Sequence, residues 1–165
     1  MKTKIATLFM VLLLSACAVN IPADQMVEMS TGNDGRVYYE EVVNVDSLSA
    51  KEIYDKALIW MARNYVSSSD VIQIKDENAL MIIGRGGSQV YDMFGQAHPT
   101  SHMIRFDARD QRYRVRFYDF YVYKNPLEDI AKTLPTYLEQ ERALIKSRTT
   151  SLKQEINTNS NNDSW

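Results

Sequence analysis

Cysteine occurs once in the 165 residues, at Cys17. No disulfide can close within the chain, and zinc sites built on several cysteines are excluded. Histidine occurs twice, at His98 and His102, and no metal-ligand spacing or nucleophile–base–orienter set can be assembled around either. Charge of one sign is also lacking. Nineteen Lys and Arg stand against 21 Asp and Glu, a formal net charge of −2, so no bulk basic character points to nucleic acid. The few glycines form no phosphate-binding pattern: Gly84-Arg85-Gly86-Gly87 has neither the following helix nor the Lys-Ser/Thr that such a loop requires. The apolar run at the start, Ile5 to Leu14, is too short to span a bilayer as a mature helix.

That run does have an address. Lys2 and Lys4 precede it, and Leu14-Ser15-Ala16-Cys17 follows. The tetrapeptide resembles the lipobox of bacterial lipoprotein signal peptides at all four positions. The resemblance implies cleavage before Cys17 and a diacylglyceryl thioether on its sulfur. It also implies membrane anchoring through that covalent lipid, with no other cofactor expected. Loss of residues 1–16 removes Lys2 and Lys4 and no acid, so the formal charge falls from −2 to −4. No Asp follows Cys17 directly, and by resemblance to the enterobacterial sorting rule the expected location is the outer membrane of the cell envelope. Residues 17–35 contain Pro22, Gly32, Asn33, Asp34 and Gly35 without a sustained period, and read as a flexible tether.

The folded part is organised around Leu48 to Tyr65. Ser49-x-x-Glu52 is a capping box, flanked by Leu48 and Ile53 as a hydrophobic staple. At 100° per residue, Ile53, Tyr54, Ala57, Leu58, Trp60, Met61 and Tyr65 share one arc, with Lys51, Glu52, Asp55, Lys56 and Arg63 opposite. Asn64 falls in the apolar arc, where it can satisfy a carbonyl of the last turn. So wide an arc requires a sheet face to cover it. Trp60 and the tyrosines are expected in the core and not in a ligand site.

Strands are predicted at Arg36–Val45, Val71–Lys75 and Ala79–Arg85, with the helix stopping at Ser67 to Asp70. Gly86 to Ser101 reads as a long loop with a small extra hairpin around Gln89 to Phe94; it carries His98, with Asp92 nearby and His102 just beyond, and both histidines read as solvated residues. The clearest hairpin joins His102–Arg109 to Arg112–Tyr121. Pairing Phe106 with Val115 and Ile104 with Phe117 buries apolar residues throughout, and sets Asp107 opposite Arg114 and Arg105 opposite Arg116 outside. Asp110-Gln111 is a poor two-residue turn, so a four-residue loop in the same register is expected. The outer face then gathers Arg105, Arg109, Arg112, Arg114 and Arg116 on an acidic chain, which reads either as a solvated or chain-covered sheet face partly neutralised by Asp107, or as a candidate patch for an anionic partner such as an envelope protein, a glycan acid or lipid headgroups.

Asn125-Pro126-Leu127-Glu128-Asp129 reads as a capped helix start, with Asn as cap and Pro in the first position. Pro135 breaks or kinks this segment. The remainder of 125–156 shows a narrow seam of Leu138, Ile145, Leu152 and Ile156, expected to lie on a surface, project outward or pair with a partner helix. Residues 157–165 read as a disordered tail.

The order strand, helix, four strands, helix gives an α+β domain at 36–124, one antiparallel sheet with its helices on one face. The segments VVNVDSLSAKEIYDKALIWMARNY, SSSDVIQIKD, GRG and RYRVRFYDF, within about residues 40–123, resemble a bacterial family of unknown function with a TATA-binding-protein-like fold. The resemblance implies a fold and no activity. The expected function is a non-catalytic binding or structural domain of an envelope lipoprotein. A hydrolase using the His98/His102 loop is the alternative.

Overall fold

The computed structural model describes residues 21–65 and 72–158. The leader, Cys17, the Ser67–Asp70 helix stop and residues 159–165 of the expected tail lie outside the described residues. Ten elements follow a 3₁₀ turn at Ala23–Gln25. They are β1 Ser30–Thr31, β2 Val37–Asn44, α1 Ala50–Asn64, β3 Ile72–Asp76, β4 Met81–Tyr91, β5 Ala97–Arg109, β6 Arg112–Val122, β7 Asn125–Pro126, α2 Leu127–Ala131 and α3 Pro135–Asn157. The strands form one antiparallel sheet in the order β1-β2-β6-β5-β4-β3, and β7 pairs with β6.

α1 begins where its capping box places it. The Glu52 amide donates to Ser49 Oγ at 3.3 Å, and the Ser49 amide donates to the Glu52 carboxylate at 2.8 Å. Asn64 Nδ2 donates to the Trp60 carbonyl at 2.9 Å in the last turn. Ile53, Tyr54, Ala57, Trp60 and Met61 are buried on the sheet, with Ile59 exposed on the far side. Trp60 belongs to the core, and its indole N–H donates to Ser151 on α3 at 3.1 Å.

The β5–β6 register pairs Phe106 with Val115, Ile104 with Phe117, Asp107 with Arg114 and Arg105 with Arg116. The turn, however, has two residues: Arg109 pairs with Arg112, and Gln111 takes φ +60°. Contacts to the α1 entry hold this otherwise poor turn. Asp110 accepts the Ala50 amide at 2.8 Å, the Gln111 amide donates to Leu48 at 3.0 Å, and the Val45 amide donates to Gln111 at 2.8 Å.

Four expectations are corrected. The Gly86–Ser101 segment is not a long loop: β4 and β5 pair without interruption from Met81–Asp107 to Tyr91–Ala97, leaving only residues 92–96 as the turn. Residues 21–35 are not a free tether. Val27 is buried against α3, and Ser30–Thr31 adds an edge strand to β2. The helix expected at 125–129 does begin there with Glu128 and Asp129 in its first turn, but Asn125 is not its cap: Pro126 stands at the cap position without a side-chain bond, and Asn125-Pro126 pairs with Tyr121–Val122. α3 does not project outward but lies on the sheet against helix α1. It starts at Pro135 and lies beside α1 on the same sheet face, as the Trp60–Ser151 and Arg63–Glu155 contacts show, and its helical path includes Asn157. Both helices therefore cover one face, and the opposite face of the sheet is open.

Candidate functional site

Alternation on β5 and β6 sends Arg105, Asp107 and Arg109, and Arg112, Arg114 and Arg116, to the open face. Asp107 organises the centre. Arg105 Nε and Nη2 donate to its carboxylate at 3.0 and 2.9 Å, and Arg114 Nε and Nη2 donate to it at 3.2 and 3.0 Å. Both guanidiniums are thus held in planar, two-point geometry. Partial burial pushes the Asp107 carboxyl up, but the hydrogen bonds from Arg105 and Arg114 outweigh that and hold it below the usual carboxylate range. Asp107 in turn raises Arg105.

An open pocket of about 380 Å³ lies on this cluster at the Arg109–Arg112 end of the sheet. Arg105, Arg109, Arg112 and Arg114 line it with Asp107, and Val42, Ala79, Ala108 and Tyr113 add apolar surface. Four guanidiniums against one carboxylate leave a formal excess of three positive charges in the pocket. Arg109 and Arg112 are exposed and have no acidic partner within 4.0 Å among the described residues. Guanidiniums with free N–H groups around a concavity suit a carboxylate, sulfate or phosphate.

Arg116 is separate from the pocket. Its guanidinium lies 4.4 Å from the Tyr38 ring centroid and 5.7 Å from that of Tyr118, with Glu40 at 3.9 Å. Sequence reasoning placed the five arginines on one face and missed the contributions of β2. Val42 and Tyr38 alternate outward on that strand and are readable only once it is paired with β6.

The two histidines are not solvated loop residues, and they do not share a site. Both belong to β5 and point to the covered face, four residues apart, or about 13 Å along a strand. His102 is buried. Burial, with the Arg148 charge beside it, depresses its pKa well below the ordinary imidazole value, so its Nε2 accepts from Arg148 Nη1 at 2.6 Å. Gly86 faces this ring: a Cβ there would lie 2.4 Å from Tyr65 Cε1 and 2.5 Å from His102 Nε2. Next to it, Glu141 on α3 is buried and accepts from Thr100 Oγ1 at 2.5 Å and Ser88 Oγ at 3.1 Å. Burial raises the Glu141 carboxyl above its ordinary value, against the effect of those hydroxyls. This polar layer docks α3 onto β4 and β5. His98, at the other end of β5, contacts Asp92 at 3.1 Å and Tyr123 Oη at 2.7 Å. No cluster of three or more metal-ligating side chains occurs among the described residues.

Comparison with known proteins places this geometry in a fold. The DUF4468 family model, described as a domain of unknown function with TBP-like fold, matches residues 39–123. A crystal structure of a DUF4468 family protein from Bacteroides ovatus superposes with a TM-score of 0.62 at 14% identity, covering 83% of this chain and 93% of that one. A TBP-like protein from Parabacteroides distasonis gives a TM-score of 0.48 at 20% identity, over 58% of this chain and 64% of that one. No curated protein matches the chain.

Proposed function

The chain belongs to the DUF4468 family of TBP-like domains, and from that premise we propose that it is a non-catalytic binding domain, lipid-anchored through Cys17 in the bacterial envelope. The open sheet face holds an anionic group of an envelope partner. The observation that carries this reading is the pocket in which Asp107 fixes Arg105 and Arg114 while Arg109 and Arg112 have no acidic partner among the described residues. A chain that is acidic overall concentrates an excess of positive charge there, in a concavity and on the face that its own helices leave uncovered. Anchoring rests on the Leu14-Ser15-Ala16-Cys17 tetrapeptide. Export and the net negative charge count against nucleic acid, and a fold shared with a DNA-binding namesake carries no function by itself. The separation of His98 from His102 favours binding over a hydrolase built on both.

The test is capture of the partner by the intact protein. Arg109→Ser with Arg112→Ser should leave folding unchanged, because both side chains are exposed. It should also abolish a capture that weakens with salt in the wild type. Capture indifferent to both salt and the double substitution would refute the pocket.

A further inference from the structure

The β4–β5 turn, at the opposite end of the sheet from the arginine pocket, presents Met93 and Phe94 to solvent at 89% and 87% exposure. Tyr91 and Tyr123 flank them, half exposed. Between Gln89 and Ala97 the one charged residue is Asp92, and the turn itself uses both its carboxylate oxygens. Asp92 Oδ1 accepts the Phe94 and Gln96 amides at 2.9 Å, and Oδ2 lies 3.1 Å from His98 Nε2. Gln140 on α3 clamps the strand end, accepting from the Tyr91 amide at 2.8 Å and donating to its carbonyl at 2.9 Å. The tip is thus a braced turn that holds two large apolar side chains in water, with a tyrosine on either side and its one charge, Asp92, bonded within the turn.

The entry of the chain lies close to this tip. Val27 is fixed to α3 two residues beyond Gln140: its amide donates to the Arg142 carbonyl at 3.3 Å, and its carbonyl accepts from Arg142 Nε at 2.6 Å. Gln140 and Arg142 both belong to the first two turns of α3, so the N-terminal segment arrives at the same end of the molecule as the tip. Val27 lies ten positions beyond Cys17, a reach of at most about 35 Å. We infer that the Met93–Phe94 tip inserts into the interfacial layer of the bilayer in which Cys17 is anchored; this rests on the lipidated reading above. Apolar side chains flanked by tyrosines are what such an interface accepts. β5 spans 13 residues from this end to Arg109, or about 40 Å, which carries the arginine pocket away from the bilayer toward a partner in the aqueous space.

The test uses the full lipidated chain in phosphatidylethanolamine–phosphatidylglycerol vesicles. Cys17 is the only native cysteine, so a lipidated wild type takes up no maleimide dye. Phe94→Cys and Val42→Cys are each labelled with an environment-sensitive fluorophore; Val42 is 60% exposed on the open face. The proposal expects a blue-shifted Phe94→Cys probe, quenched by doxyl lipids and shielded from iodide, with the Val42→Cys probe showing the reverse. Equal iodide access at both sites overturns it. So does iodide protection without doxyl quenching, which would mean a protein covers the tip. A wild type that takes up dye or stays off vesicles removes the anchor itself, a failure separate from that of the tip.

Discussion

Gly86 and Gly87 are neighbours on β4 with opposite surroundings, and adding one methyl to each tests how the covered face is packed. At Gly86 the new carbon would meet Tyr65 Cε1 at 2.4 Å and His102 Nε2 at 2.5 Å, about 1 Å inside ordinary contact. Neither ring is free to yield. Both are buried, and His102 Nε2 also holds Arg148 at 2.6 Å, a hydrogen bond from a charged donor. Overpacking of this kind costs about 1–3 kcal/mol, and loss of the Arg148 bond adds an amount of similar size. The total for Gly86→Ala should be roughly 2–4 kcal/mol, a fall on the order of 1–2 M in urea midpoint. At Gly87 the added carbon meets only the Thr100 carbonyl, at 3.5 Å. Gly87→Ala should stay within about 0.5 kcal/mol of wild type or gain slightly, since glycine is costly within a strand. Denaturant unfolding of the chain from Ile21 onward, which retains Val27 and β1, measures both. Combining Gly86→Ala with Tyr65→Ala should lose less than the sum of the single changes, because one clash disappears. Equal losses at the two glycines would refute the placement of Tyr65 and His102 over β4.

Met61, fully buried beneath α1, should cost about 2–5 kcal/mol when replaced by Ala, whereas exposed Lys51→Ala should stay within about 0.5 kcal/mol; urea midpoints decide. Two buried groups should oppose each other in the pH dependence of stability. His102, depressed in the fold, contributes fully above its ordinary value of 6.5 and loses stability as pH falls below it. Glu141, raised in the fold, is least unfavourable below its ordinary 4.5 and loses stability as pH rises through the window above. Glu141→Gln should therefore steepen the loss on acidification from pH 7.5 to 4.5, by at most about 1.4 kcal/mol per pH unit. A variant with the wild-type slope would contradict the burial of Glu141. Cys17→Ala should move the protein from the membrane fraction to soluble or unprocessed precursor; unchanged fractionation with no labelled palmitate on the wild type would sink the anchor.

The parts of this fold that local chemistry dictates were readable from the chain. Ser49 and Glu52 are a self-contained cap, and the alternation of Ile104, Phe106, Val115 and Phe117 admits one register. The misread parts depend on distant partners. Gly86, Gly87 and Pro99 depress strand propensity, yet β4 and β5 pair through them, and Gly86 is small because Tyr65 and His102 fill the space above it. The seam of α3 looked too narrow to pack because Glu141 and Thr149 occupy buried positions on it. The partners of Glu141, Thr100 and Ser88, are themselves polar and read as loop. Val27 gave no periodic signal, since a single buried residue on an irregular segment has none. The arginine face was legible as a cluster, but the division between a pocket around Asp107 and a separate Arg116 between Tyr38 and Tyr118 required β2 beside β6.

If the pocket at Arg105, Arg109, Arg112 and Arg114 holds an anionic partner, residues at its rim should crosslink to that partner. Val42 lines that pocket and is 60% exposed, while Ile59 is 45% exposed on the outer side of α1. A photo-crosslinking residue at each position, in the intact protein in cells, compares the two surfaces directly. Position 42 should give a discrete adduct that is absent from position 59 and lost when Arg109 and Arg112 are both serine. An adduct that persists without those arginines, or that forms equally from position 59, would contradict binding at this pocket.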